Sequence, residues 1–362
     1  MDESFERAKE FFLAGVRHYE AGRYELAQAQ FEASLSFVPQ RASTLMNLGA
    51  TRIQLRRFAQ ADEVLEEAIR IDPSDAQAWG HRATALAELG ELNEALRCAG
   101  QALERDPRLA QVWSVRGMLL RELQRPQEAA EAFRQAIAHG ADAELHAYYI
   151  AALTGNDSPP ATPARYVQAL FDGYADGFEE HLVQVLRYGA PAILARGLPQ
   201  REWAAALDLG CGTGLMGETL RPLARRLVGV DISANMVTRA QERGVYDEVV
   251  QADVGAWLAA SQETFELVTA ADVFNYIGEL APVFASGQRV LAPGGWFAFT
   301  VELAQGQADV MLQPSMRYSH SRAYVESLAT PNGFDIAAMA QHPIREDQRA
   351  PIPGLFAWLV RR

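Results

Sequence analysis

The sequence predicts an α + α/β chain: an all-α solenoid, then a doubly wound parallel sheet that ends in an antiparallel strand pair. Three observations carry this. Small residues and prolines recur every 34 positions through the first 150 residues. The stretch TGNDSPPATPA, residues 154–164, then breaks the period and reads as a linker. Beyond it, short apolar runs alternate with helical segments. The expected boundaries are therefore 1–153, a linker at 154–164, and 165–362. Two cores are natural for 362 residues.

In the first half, Pro39, Pro73 and Pro107 are 34 residues apart. Ala27, Ala61, Ala95 and Ala129 keep that spacing, as do Gly15, Gly49, Ala83 and Gly117. The stretches YELAQAQFEASLSF and FAQADEVLEEAIRI have helical periodicity. Helices pair closely where a small side chain stands at the crossing, and proline ends the second helix of each unit because it cannot extend the hydrogen-bond ladder. Tyr24 and Phe31 in the first unit, Phe58 and Ala68 in the second, Trp79, Gly90 and Ala102 in the third, and Trp113 and Phe133 in the fourth complete the pattern. The fourth unit has Ala141 where proline is expected, and AELHAYYIAAL would cap the stack. Residues 8–141 thus resemble four tetratricopeptide repeats. The resemblance implies a groove lined by helix residues including Asn47, Arg52, His81 and Arg116. That groove would take a protein or peptide partner, or serve only to build a homodimer or brace the second domain.

The second half reads in order. WAAALDLG is a strand and LMGETLRPLA a helix; RRLVGVDIS is a strand and ANMVTRAQERG a helix. YDEVVQAD is a strand before a short helix at 254–260. FELVTAADV is a strand before a helix near 278–290, and GGWFAFTVE is the fifth strand. A long insert, Leu303 to Ser321, precedes the helix SRAYVESLATPNG. FDIAAMAQHPI and GLFAWLVRR then form an antiparallel pair at the sheet edge.

The loop LGCGTGLMG joins the first strand to the first helix, where open sheets bind ligands. It reads both as G-x-G-x-G (Gly210, Gly212, Gly214) and as G-x-G-x-x-G (Gly212, Gly214, Gly217), the latter a dinucleotide pattern. Asp208 and Glu218 flank it, and two carboxylates suit an ammonium better than a pyrophosphate. Asp231, closing the second strand, can accept from two ribose hydroxyls, and Asp253 closes the third. Cys211 lies in the loop with no adjacent base and reads as a small side chain.

LDLGCGTG, VGVDIS, QADV, FELVTAADV and VLAPGGWF in this order resemble a class I S-adenosylmethionine-dependent methyltransferase with a Rossmann-like fold. With the repeats, the chain is similar to bacterial methyltransferases that carry tetratricopeptide repeats. The resemblance implies that Asp208, Gly210, Gly212 and Gly214 cradle the methionine part and that Asp231 holds the ribose. It implies that Ile232 and Met236 flank the adenine, with Asp253 and Val254 at its edge, and that Asp272 lies beside the methionine. The product would be S-adenosylhomocysteine. A helix before the first strand can cover the cofactor, and Tyr166 and Tyr174 are its lid candidates beside Phe171 and Phe178. Asn275, Arg317 and Tyr318 are candidate acceptor contacts, and His320 and Tyr276 candidate catalytic groups, because an imidazole titrates near neutrality. DVFNY is not N-P-P-Y, which weighs against an amide or nucleobase nitrogen as acceptor.

The expected activity is therefore methyl transfer to a small molecule or peptide, with the repeats recruiting substrate or partner. A scaffold that binds cofactor without turnover and an NAD-dependent oxidoreductase are the competing readings. Charge narrows the partners. Net charge is −13, and residues 1–158 hold 17 basic against 24 acidic side chains, so neither half has the footprint of a nucleic-acid binder. No apolar run reaches 18 residues, so no membrane span is expected. The charged start, MDESFERAKEF, has no signal-peptide core, which predicts the cytoplasm. Two cysteines are too few for a disulfide framework or a metal cluster, and no metal is expected.

Overall fold

The computed structural model describes residues 3–155, 158–174, 186–306, 308–347 and 350–362. The chain divides into two compact units, Met1–Thr154 and Gly155–Arg362.

The first unit is nine helices in the described residues: α1 (Glu3–Glu20), α2 (Tyr24–Phe37), α3 (Ala42–Gln54), α4 (Phe58–Ile71), α5 (Ala76–Glu88), α6 (Leu92–Arg105), α7 (Ala110–Glu122), α8 (Pro126–Ala138) and α9 (Ala143–Thr154). They pair as the 34-residue period predicts, and the pairing has a steric basis. A Cβ on Gly15 would lie 2.6 Å from the Phe31 ring, and one on Gly117 would run into Phe133. At the equivalent place in the third unit Ala83 and Ala99 are both fully buried, so the large residue has shrunk where the glycine has grown. The prolines act through the residue before them. Val38, Asp72 and Asp106, each preceding a proline, have φ between −128° and −138° and cap α2, α4 and α6. Where Ala141 replaces proline, Gly140 at φ 95° turns the chain after α8 instead. α9 closes the stack, with His146 and Tyr149 packed on Phe133.

The second unit begins with α10 (Ala164–Tyr174) and α11 (Ala190–Arg196). Then come β1 (Trp203–Leu209), α12 (Leu215–Leu220), β2 (Ala224–Asp231), α13 (Ala234–Arg243), β3 (Glu248–Gln251) and α14 (Val254–Ala260). β4 (Phe265–Ala270), α15 (Ala281–Val290), β5 (Leu291–Leu303), β6 (Val310–Leu312), β7 (Tyr318–His320), α16 (Arg322–Ala329), β8 (Phe334–Asp347) and β9 (Ala350–Arg361) complete it. The parallel order is β3-β2-β1-β4-β5. β9 lies antiparallel between β5 and β8, so the terminal pair enters the sheet in the order 5-9-8. β6 and β7 form a small hairpin within the predicted loop, and β7 extends the end of β5.

Both faces of the sheet are buried, which is why its strands read as continuous apolar runs. Along β5, Phe297, Phe299 and Val301 enter one core with Phe274, Phe284 and Phe334; Ala298 enters the other with Trp203, Met216 and Trp358. The segment expected as a linker is tied to this unit. Thr162 N–H donates to Tyr276 O, Glu279 N–H to Pro160 O, and the Tyr318 hydroxyl to Pro159 O. Pro222, in the short turn after α12, ends that helix four residues earlier than its pattern predicts. No helix among the described residues is long and apolar enough to cross a membrane.

Candidate functional site

A cavity of about 630 Å³ opens at the carboxyl ends of β1, β2 and β4. The glycine loop forms its floor. Gly210, Gly212 and Gly214 all have positive φ, and a Cβ on Gly212 would meet nothing within 4 Å, so the backbone there is bare toward the cavity. The loop is held from the next strand: Gly212 N–H donates to Asp231 Oδ2 (2.8 Å) and Ser233 N–H to Oδ1 (2.9 Å). These bonds use part of a carboxylate's acceptor capacity and leave the rest facing the cavity. Burial pushes the Asp231 carboxyl up while the two amides pull it down.

The other predicted residues that line the cavity are Ile232, Asp253, Val254, Asp272, Tyr276 and Arg317. Asp253 caps α14 by accepting from Ala256 N–H (2.8 Å), which leaves Oδ2 for a ligand. Asp272 has φ 61°, an uncommon conformation for a residue with a Cβ. Its carboxylate is gripped by Arg345 Nη1 at 2.5 Å and accepts from Asn275 Nδ2 (3.1 Å). Arg345 also pairs with Glu302, and all three members of this triad are largely buried. α10 covers the cavity with Val167, Leu170 and Phe171, and the Phe171 ring stands edge-on to Tyr276 at 5.6 Å. Asp172 fastens that helix, accepting from the Ser233 hydroxyl (2.6 Å), while Asn235 Nδ2 donates to its carbonyl.

Several expectations are corrected. Asp208 does not reach the cavity. Tyr246 Oη (2.7 Å) and Thr269 Oγ1 (3.0 Å) donate to its carboxyl in the core, and burial pushes it up to about 7. Glu218 is paired with Arg243 Nη1 at 2.5 Å, so neither flanking carboxylate is offered to an ammonium. Gly214 caps α12 and Met236 is fully buried, and neither lines the cavity. Tyr166 lies on α10 away from the lining, while the Tyr174 side chain and Phe178 are outside the described residues. Asn275 and Tyr318 are buried, the first holding Asp272 and the second bonded to Pro159 O. His320 is fully buried, stacked on Tyr324 at 5.8 Å, with Nε2 3.0 Å from Gly278 O. That carbonyl requires the proton on Nε2, and burial pushes the imidazole down to about 4. It is a neutral core histidine and not a base facing an acceptor.

Sequence reading missed Arg345, Glu302, Tyr188, Asp172, Tyr246 and Thr213. Tyr188, which lines the cavity, donates to Ala271 O (3.1 Å). Tyr246 had a trace in the glycines. A Cβ on Gly217 would collide with its ring and one on Gly229 would come within 3.1 Å, so these glycines are small because a tyrosine lies against them. Thr213 Oγ1 is buried at the cavity without a hydrogen-bond partner among the described residues. The bare amides, this orphan hydroxyl and the Asp231 carboxylate fit the polar part of a nucleoside cofactor such as S-adenosylmethionine. Ile232 and Val254 fit its base.

The fold and cavity define a nucleoside-cofactor-binding α/β domain that follows a helical repeat domain. Residues 207–299 match the methyltransferase domain family, and residues 18–83, 52–119 and 110–138 match tetratricopeptide repeats. The chain carries both: a methyltransferase domain behind tetratricopeptide repeats. It is 33% identical over 141 residues to malonyl-[acyl-carrier protein] O-methyltransferase of Enterobacter lignolyticus, covering 39% of this chain and 55% of that enzyme. It is 28% identical over 182 residues to the enzyme of the same name from Salmonella typhimurium, covering 50% and 70%. The chain thus spans little more than half of the first relative's length. The N-methyltransferase NodS of Bradyrhizobium japonicum, solved with S-adenosyl-L-homocysteine, is 20% identical with TM-score 0.39, over 47% of this chain and 85% of that one.

Proposed function

We propose that this protein is an S-adenosylmethionine-dependent methyltransferase that acts on a small molecule, with its repeats recruiting substrate or a protein partner. The observation that carries the reading is the Asp231 carboxylate, fixed by the amides of Gly212 and Ser233 at the rim of a bare glycine loop. The bound cofactor supplies a methyl carbon on a positive sulfonium. Asp231 accepts from the ribose hydroxyls, Ile232 and Val254 sandwich the base, and the remaining oxygen of Asp253 takes its amino edge. α10 keeps water out, which is what a displacement at carbon needs most. Malonyl-[acyl-carrier protein] O-methyltransferases act on a malonyl group carried on a protein, and this supports a small acyl group, free or carried, as the acceptor here.

Calorimetric titration tests the reading. S-adenosylhomocysteine is expected to bind and NAD to give no heat. Asp231→Ala removes a charged acceptor whose hydrogen bonds contribute about 1.5–3 kcal/mol, so affinity for S-adenosylhomocysteine drops roughly 10- to 100-fold. Absence of heat with S-adenosylhomocysteine, or tight NAD binding, overturns the proposal.

A further inference from the structure

Arg317 lies between β6 and β7 and lines the same cavity. The other cavity arginine, Arg345, is matched by Asp272 and Glu302. Elsewhere in this unit Arg221 pairs with Asp247, Arg226 with Glu248 and Glu263, and Arg243 with Glu218, while Arg289 and Arg361 donate to backbone carbonyls. Arg317 has neither kind of partner among the described residues. Among the described residues no carboxylate lies within ion-pair distance of it, and its hydrogen bond is a long one, Nε to Tyr276 Oη at 3.5 Å. A guanidinium stays charged at any ordinary pH and offers a planar fork of donors. Holding one partly buried without a counter-ion costs free energy unless a ligand supplies the charge. The cavity walls beside it are apolar: Val167, Leu170, Phe171 and Ile277.

We propose that Arg317 is the specificity-determining residue for the methyl acceptor: it clamps a carboxylate carried on an apolar body, with the Tyr276 hydroxyl as a second donor. The proposal rests on the methyltransferase reading and adds the acceptor's chemical class to it. A carboxylate suits the site better than a phosphate. The triad of Asp272, Arg345 and Glu302 is net negative and Arg317 adds one positive charge, so a singly charged acceptor is disfavoured less than a doubly charged one. The planar fork also matches a carboxylate in two parallel hydrogen bonds.

The test uses the full chain saturated with S-adenosylhomocysteine and titrated with hexanoate, butanoate or inorganic phosphate, read by calorimetry and ligand-observed NMR. At least one of the two carboxylates is expected to bind, and more tightly than phosphate. Arg317→Gln is expected to weaken carboxylate binding about tenfold or more, and Arg317→Lys to restore part of it. Affinity for S-adenosylhomocysteine should stay within twofold in both variants, which also shows that they are folded. Three results overturn the proposal: neither carboxylate binds the saturated wild type, Arg317→Gln binds carboxylate as well as wild type, or phosphate binds more tightly. Failure to bind S-adenosylhomocysteine is a separate result. It removes the methyltransferase reading and the acceptor assignment with it.

Discussion

Asp208 shows how a side chain can sit in a recognisable motif and do something other than touch the ligand. It stands two residues before the first glycine, yet its carboxyl faces Tyr246 and Thr269 in the core and is pushed up to about 7 by burial. An unfolded aspartate titrates near 4. Between those values the folded chain binds the proton more tightly than the unfolded one, so stability falls as pH rises and the fall ends above about 7. The expected outcome is an Asp208 contribution that lowers the melting temperature between pH 4.5 and 7 in wild type, set against the opposite, rising contribution of His320. Asp208→Asn, which keeps the shape without the titration, should remove the Asp208 contribution; an unchanged slope refutes the assignment. The same comparison shows which residues were legible. Gly212, Asp231, Ile232, Asp253 and Val254 are close in sequence to strand ends, and strand ends are where an open sheet presents side chains, so local pattern suffices to place them. Arg345 reaches Asp272 from 73 residues away through strand pairing, and nothing local announces it. His320 was misplaced for the same reason: its ring is defined by Gly278 and Tyr324, neither of which the motif contains.

At the scale of elements, period alone located most helices and strands, because packing demands repeat where sequence repeats. The order 5-9-8 was not readable, since an antiparallel pair looks the same whichever member joins the sheet. The β6–β7 hairpin was hidden because its strands are three residues each, too short to show alternation. The repeat helices make a prediction of opposite signs. Gly117 in α7 stands against the Phe133 ring, whereas Gly100 in α6 has nothing near its missing Cβ. Gly117→Ala therefore overpacks a crossing and is expected to cost about 1–3 kcal/mol. Gly100→Ala gains helix propensity and should stabilise by about 0.5–1 kcal/mol. Urea unfolding followed by circular dichroism measures both; equal effects would show that the small residues at 34-residue spacing do not define the crossings.

At the scale of the molecule, the chain joins two kinds of cooperativity. The repeat unit is held by contacts between successive helices, and its stability is close to a sum of neighbour terms. The α/β unit is held by one sheet buried on both faces, whose strands come from residues as far apart as Trp203 and Arg361, and so it melts as a block. Only the second contains the glycine loop and Asp231. A ligand that binds the folded state alone stabilises it by about 2.7 kcal/mol at a hundredfold excess over Kd. For a unit of roughly 200 residues this raises the melting temperature by roughly 5–10 °C. Scanning calorimetry of the full chain is thus expected to show two transitions, of which saturating S-adenosylhomocysteine moves one. Asp231→Ala should abolish most of that movement and leave the other transition where it was. If a single transition moves as a whole, the repeats and the cofactor domain share one cooperative unit, and any partner that binds the repeats would then change cofactor affinity by linkage.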